Sequence, residues 1–150
     1  MEIKKIIIEN FKSIENFEVD TNGKIFLIHS NDYEKTCSFM DAIRWGLNVH
    51  FEFGSFVNLL NENCCNQLLM EESEIEEVKV SIIINDNGHD ICLTKIAKYI
   101  LNEYSIELKE VNFYINEKQV EFNIFGEFCA KYYNYCFKYL SFIWIPNLGF

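Results

Sequence analysis

The stretch HSNDYEKT, residues 29 to 36, decides how the N-terminal part of this chain is interpreted. It follows KIFLIH (24–29), whose apolar residues predict a buried strand. It precedes a segment from Thr36 to about Asn48 that predicts a helix, because one stripe of that segment is apolar. The stripe consists of Phe39, Met40, Ile43 and Leu47. A strand, a short loop and a helix in this order are the setting of a phosphate-binding loop.

The loop fits the pattern G-x-x-x-x-G-K-[ST] without a gap, with Lys35 and Thr36 at the lysine and hydroxyl positions. Both glycines of the pattern are replaced, by His29 and Glu34. The register therefore indicates a nucleotide-binding ancestry, and the substitutions raise the question of whether a nucleotide still binds.

Two flanking segments carry a resemblance to a known family. The pattern I-x-N-F-[KR]-S is matched by residues 8 to 13, and the helix pattern L-D-A-I-x-W-A-L is matched by Asp41, Ala42, Ile43, Trp45 and Leu47. Over residues 1 to 49 the chain resembles the N-terminal lobe of the ABC-type ATPase heads of SMC, RecF and RecN proteins. The likeness is nearest to the SMC-like ATPases of DNA repair and phage defence, and it is weak over residues 50 to 140.

The resemblance implies a loop of the form G-x-N-G-x-G-K-[ST]. Asn31, Lys35 and Thr36 match it, whereas His29, Asp32 and Glu34 replace its three glycines. Each lost glycine costs about 1–3 kcal/mol if the loop keeps its positive φ angles, and an acidic side chain about 4 Å from a phosphate adds roughly 4 kcal/mol of repulsion. As an alternative occupant, the Asp32 or Glu34 carboxylate can take the place of the phosphate at the helix N-terminus, with Lys35 paired to it.

The end of the chain adds a further match. SFIWIPNLGF (141–150) is similar to the strand and P-Q-G element, the Q-loop, that precedes a coiled coil in the family, with Asn147 in place of glutamine. Lys12 matches a basic residue that lies near the nucleotide in the family. We therefore expect one domain over residues 1–150, a stand-alone N-lobe without the signature motif, Walker B acids or switch histidine of a C-lobe.

The remaining patterns complete the predicted fold. TNGK (21–24), NDNG (85–88) and NEKQ (116–119) predict turns between strands, the first two as hairpin turns. Apolar residues at helical spacing predict a helix from about residue 123 to 140, namely Phe125, Phe128, Cys129, Tyr132, Cys136, Phe137 and Leu140. The segment 57–70 has room for a short helix. The predicted class is α/β, a P-loop NTPase-like N-lobe with a mixed sheet, antiparallel hairpins and two main helices.

Composition limits the partners. The net charge is −10 and the isoelectric point about 4.7, so duplex DNA would be repelled and a direct DNA-binding role is disfavoured. The six cysteines form no C-x-x-C pair, and the three histidines have no partner at metal-ligand spacing. We therefore expect reduced thiols, no metal site, no membrane association and a cytoplasmic location.

These observations lead to one main functional hypothesis and one alternative. The main hypothesis is a non-catalytic pseudo-ATPase without a cofactor, which binds an SMC-like ATPase or another subunit of a DNA-repair or anti-phage complex. Its vestigial nucleotide site would comprise Lys12, Asn31, Lys35, Thr36 and Asn147, with no catalytic residue. The alternative is the ATP-binding half of a split SMC-like ATPase, which would use ATP and Mg²⁺ once another chain completes it.

Overall fold

The computed structural model describes residues 1–21, 32–47, 59–70, 75–103 and 105–139, with side chains described as far as Tyr133 in the last range. Six strands and three helices lie in these ranges. They are β1 (Glu2–Phe11), β2 (Ile14–Asp20), α1 (Tyr33–Leu47), α2 (Glu62–Leu69), β3 (Ile75–Asp86), β4 (His89–Asn102), β5 (Ser105–Ile115), β6 (Lys118–Val120) and α3 (Phe122–Tyr139). No helix in the described ranges is long and apolar enough to cross a lipid bilayer.

The six strands form one sheet in the order β2-β1-β3-β4-β5-β6. Each neighbouring pair among them is antiparallel. An α/β fold with antiparallel hairpins is thus confirmed. The predicted strand at 24–29 and most of the TNGK turn lie outside the described residues, so the mixed character of the sheet remains a prediction.

Two-residue turns connect the later strands, as the sequence predicts. Asn87 and Gly88 join β3 to β4 with φ angles of 54° and 87°, and Asn116 and Glu117 join β5 to β6 with φ angles of 49° and 66°. Positive φ at both central residues defines the turn whose twist matches that of the flanking strands. The hairpin predicted at NDNG is confirmed, and so is the turn predicted at NEKQ, which joins β5 and β6 as a second hairpin.

One face of the sheet and the helices α1 and α3 enclose the core. The strands contribute alternate residues, among them Ile6, Ile8, Val80, Ile82 and Leu93, each at most 1% exposed. Alternation of this kind is expected where one face of an antiparallel sheet is buried.

The predicted apolar stripes of the helices are largely confirmed. Phe39, Ile43 and Leu47 of α1 are buried, and so is Trp45, but Met40 is only partly buried. Gly46 lies at the contact with β3, where the absence of a side chain lets the helix approach Val80 and Ile82 closely, and Ala42 is also buried. In α3, Phe125, Cys129 and Tyr132 are buried and Phe128 is partly buried. The side chains of Cys136, Phe137 and Leu140 lie outside the described part.

A lysine is buried inside this core. Lys95 of β4 is 6% exposed, donates a hydrogen bond to the carbonyl oxygen of Trp45 (3.2 Å) and places Nζ 4.6 Å from the centre of the Trp45 ring system. The Phe113 ring lies 5.7 Å from the same Nζ. Burial lowers the pKa of the Lys95 ammonium from 10.5 to about 8, and the nearby Cys129 thiol opposes that effect only in part.

The close approach of α1 to the sheet yields a stability prediction. A Cβ at Gly46 would lie 2.7 Å from Cγ1 of Val80. Gly46→Ala is expected to lower the free energy of unfolding by about 1–3 kcal/mol, because the core has no room for the methyl group. Urea denaturation of Gly46→Ala, Val80→Ala and the double variant tests the cause. The double variant should be destabilised by less than the sum of the two single variants, because the smaller side chain at position 80 relieves the clash. Losses that simply add would contradict the proposed clash.

Lys95 yields a pH prediction. Between pH 8 and 10.5 the unfolded chain binds more protons at this residue than the folded chain, so the Lys95 contribution to stability rises with pH. Lys95→Met is expected to raise the free energy of unfolding by about 1–3 kcal/mol at pH 7, since it removes the cost of a buried charge. The advantage should shrink as the pH approaches 10.5. Urea denaturation of both proteins at pH 7, 9 and 10 measures the difference in stability. A difference that does not change with pH would contradict the lowered pKa of Lys95.

Candidate functional site

Helix α1 begins three residues before the predicted start. The sequence predicts a start at Thr36, whereas α1 begins at Tyr33. The loop of a phosphate-binding motif normally occupies these positions. Without glycines at 32 and 34, residues 33 to 36 adopt helical geometry, and the amide of Thr36 donates to the carbonyl of Asp32 at 3.1 Å. An aspartate directly before the first helical residue is a helix-start signal that locates this boundary.

The Asp32 carboxylate caps α1. Its Oδ1 accepts hydrogen bonds from the backbone N–H groups of Glu34 at 3.0 Å and Lys35 at 3.2 Å. These are two of the donors that a helix N-terminus offers to an anion, and the negative charge also lies favourably at the positive end of the helix dipole. The self-capping hypothesis is confirmed for Asp32, and Glu34 is an exposed residue of the first turn.

The two motif residues on α1 have different surroundings. The Thr36 hydroxyl donates to the carbonyl oxygen of Asp32 at 3.1 Å, a bond back along the helix that leaves the hydroxyl directed at the backbone. Lys35 is exposed and forms no ion pair with another described residue, so the expected pairing with Asp32 or Glu34 is not observed. In this geometry the lysine side chain is exposed, and the threonine hydroxyl is engaged with the helix backbone.

Lys12 lies at the tight turn between β1 and β2, at a positive φ of 48°. Its Nζ bonds to Oδ2 of Asp41 on α1 at 2.6 Å, and both side chains are about three-quarters buried, with exposures of 26% and 25%. Asp41 also lies 3.9 Å from Arg44. The charge of Lys12 is therefore matched within the fold.

Hydrogen bonds fix this turn against two other elements. Asn61, the N-cap residue of α2, donates its side-chain amide to the Lys12 carbonyl at 2.7 Å and its backbone N–H to the Asn10 carbonyl at 2.9 Å. The hydroxyl of Ser13 bonds to that of Ser38 on α1 at 2.7 Å. Neither Asn61 nor the serine pair was predicted from the sequence. Asparagine before a short helix is a capping signal that could have located Asn61, but no sequence pattern links residue 12 to residue 61.

Together these elements enclose a cleft of about 780 Å³ between the β1–β2 turn, α1 and α2. It is lined by Lys12, Ser13, Glu34, Cys37, Ser38, Asp41, Leu60, Asn61, Glu62, Asn63 and Cys65. Three carboxylates and one ammonium group face it, so the cleft is acidic. Burial, followed by the charge of Glu62, raises the pKa of Cys65, which keeps that thiol protonated at neutral pH.

The structure brings only part of the predicted nucleotide site together. Lys12 lines the cleft, whereas Lys35 and Thr36 are not among its lining residues. Asn31 and Asn147 lie outside the described residues. Within the described ranges, no group of three or more histidine, cysteine, aspartate or glutamate side chains is arranged to hold a metal ion.

Comparison with known proteins adds no assignment. No protein-family model matches the chain, and no curated protein matches it significantly.

The Asp32 cap yields a matched pair of variants. Asp32→Ala is expected to lower the free energy of unfolding by about 1 kcal/mol, because two N–H groups lose their acceptor. Asp32→Asn keeps an acceptor oxygen and should lower the free energy of unfolding by only a few tenths of a kcal/mol. Urea denaturation, with helix content followed by circular dichroism, measures both. Equal losses in the two variants would indicate that the charge, and not the hydrogen bonds, stabilises α1.

Proposed function

We propose that this chain is a non-catalytic binding module, built like the N-lobe of an SMC-type ATPase head, that acts by docking on a protein partner. The Asp32 cap is the observation that carries the proposal. A nucleotide phosphate would have to displace an intramolecular carboxylate from the same N–H groups. That carboxylate is covalently attached next to its donors, so its effective concentration is high.

Electrostatics in the neighbourhood support the same conclusion. The Lys12 ammonium, which the family resemblance would assign to the nucleotide, is bonded to Asp41. Glu34 and Asp41 add negative charge along the same side of α1. A triphosphate bound near these carboxylates would be repelled by roughly 4 kcal/mol per close pair, enough to remove a micromolar site.

The lobe-like part of the proposal rests on the match over residues 1 to 49 and on the packing of α1. Trp45, Ile43 and Leu47 of the family-like helix pattern are all at most 1% exposed against the sheet. The resemblance suggests the class of partner, which is an SMC-like ATPase or another subunit of a DNA-repair or anti-phage complex. The proposed location is the cytoplasm.

One observation favours the split-ATPase alternative. Lys35 is exposed and has no ion-pair partner in the described part of the chain, so it could reach a phosphate. In that case a second chain would have to displace the Asp32 cap and supply the remaining magnesium and water-positioning groups.

Titration with Mg·ATP separates the two proposals. The isolated chain is expected to show no saturable binding below about 1 mM in isothermal titration calorimetry, because the cap and nearby carboxylates oppose phosphate. Lys35→Ala should leave capture of a partner from the native host unchanged. Micromolar, magnesium-dependent binding that Lys35→Ala abolishes would refute the pseudo-ATPase proposal. Binding that emerges only after the partner is added would establish the alternative.

A further inference from the structure

The outer edge of β5 is open along most of its length. The strand spans Ser105–Ile115, and β6 pairs only with its last three residues, from Phe113 to Ile115. No strand in the described ranges lies on the outer side of residues 105–112. The backbone N–H and C=O groups of such an edge can pair with a strand of another molecule, and a second copy of this chain presents the same edge.

A β-bulge interrupts this open stretch. Leu108 and Glu110 pair with two consecutive residues of β4, so Lys109 between them has no counterpart on that strand. The burial pattern agrees, because Leu108 and Val111 pack against the core whereas the two residues between them are exposed. A bulge disrupts the ladder, bends the strand and increases its twist. A straight strand added from outside can therefore pair on either side of Lys109 but not across it.

Charged side chains on the same stretch are a second obstacle to pairing. Glu107, Lys109 and Glu110 are all exposed. Without Lys109, two copies paired symmetrically about Leu108 would still place Glu107 of one copy opposite Glu110 of the other. The neighbouring symmetric registers would place one of these glutamates opposite itself. Like charges directly opposite each other destabilise a pair of strands.

We propose that the bulge at Lys109, together with Glu107 and Glu110, is a device that prevents self-association of this chain through the open edge of β5. Bulges and charged side chains are two of the means by which sheets of natural proteins protect their edges from strand addition. Both are present here on the part of β5 that β6 leaves uncovered. The inference concerns the sheet edge alone and does not depend on the proposed function.

Three variants remove the two obstacles separately and together. The first deletes Lys109, the second carries Glu107→Thr/Glu110→Thr, and the third combines these changes. The deletion suits the fold, because Leu108 and position 110 already face opposite sides of the sheet and become successive residues of a regular strand. Threonine at the two glutamate positions favours a strand.

Sedimentation velocity across a dilution series measures self-association. The parent chain and the glutamate variant should remain monomeric, whereas the combined variant should approach about twice the monomer mass. The deletion alone should associate more weakly than the combined variant, because the opposed glutamates remain. A combined variant that is folded by circular dichroism and still monomeric would overturn the proposal. Equal association of the glutamate and combined variants would also overturn it, because the bulge would then contribute nothing.

Hydrogen exchange of the unmodified chain, resolved by residue with NMR, tests the open edge without a deletion. Within residues 105–112, N–H groups directed toward β4 should be protected, and those directed outward should exchange at least about tenfold faster. Uniformly slow exchange along this stretch would mean that the edge is already paired, and it would contradict the proposal even if the combined variant does not fold.

Discussion

The carboxylate of Asp32 on the first turn of α1 is the constraint from which the site follows. A backbone N–H group that is bonded to this carboxylate is no longer open to another anion, and both the Glu34 and Lys35 amides are used in this way. The cap also sets where the helix starts, and that start fixes the bond of the Thr36 hydroxyl to the helix backbone. In the proposed pseudo-ATPase, the residue that stands in place of a loop glycine is thus also the one whose carboxylate takes the place of the phosphate.

The β1–β2 turn links this helix to the rest of the fold. Lys12 joins α1 through Asp41, and its backbone joins the segment before α2 through Leu59 and Asn61. A positive φ angle is energetically costly for a lysine, and the surrounding hydrogen bonds and ion pair hold Lys12 in this conformation. The shape of the cleft is consequently determined by contacts within the chain.

Sequence patterns predicted the local features well and the long-range ones poorly. The turns at Asn87–Gly88 and Asn116–Glu117 follow from residues that tolerate positive φ, and burial of Ile43 and Leu47 follows from helical spacing. Met40 lies on the predicted stripe and is only partly buried, because Gly46 and its neighbours bring a different side of α1 onto β3. The contact between Lys12 and Asn61 spans 49 positions and depends on tertiary packing, which periodicity does not encode.

Both ends of α1 are matched by groups of the same chain. The Asp32 carboxylate lies at the positive N-terminal end, and the buried Lys95 ammonium bonds to the Trp45 carbonyl near the negative C-terminal end. In a nucleotide-binding protein the phosphates provide the charge at the first of these ends. Here the helix needs no ligand to balance its dipole, because groups of the same chain lie at both of its ends. A helix that needs no phosphate at its N-terminus is consistent with the proposed binding role, which involves no catalytic step.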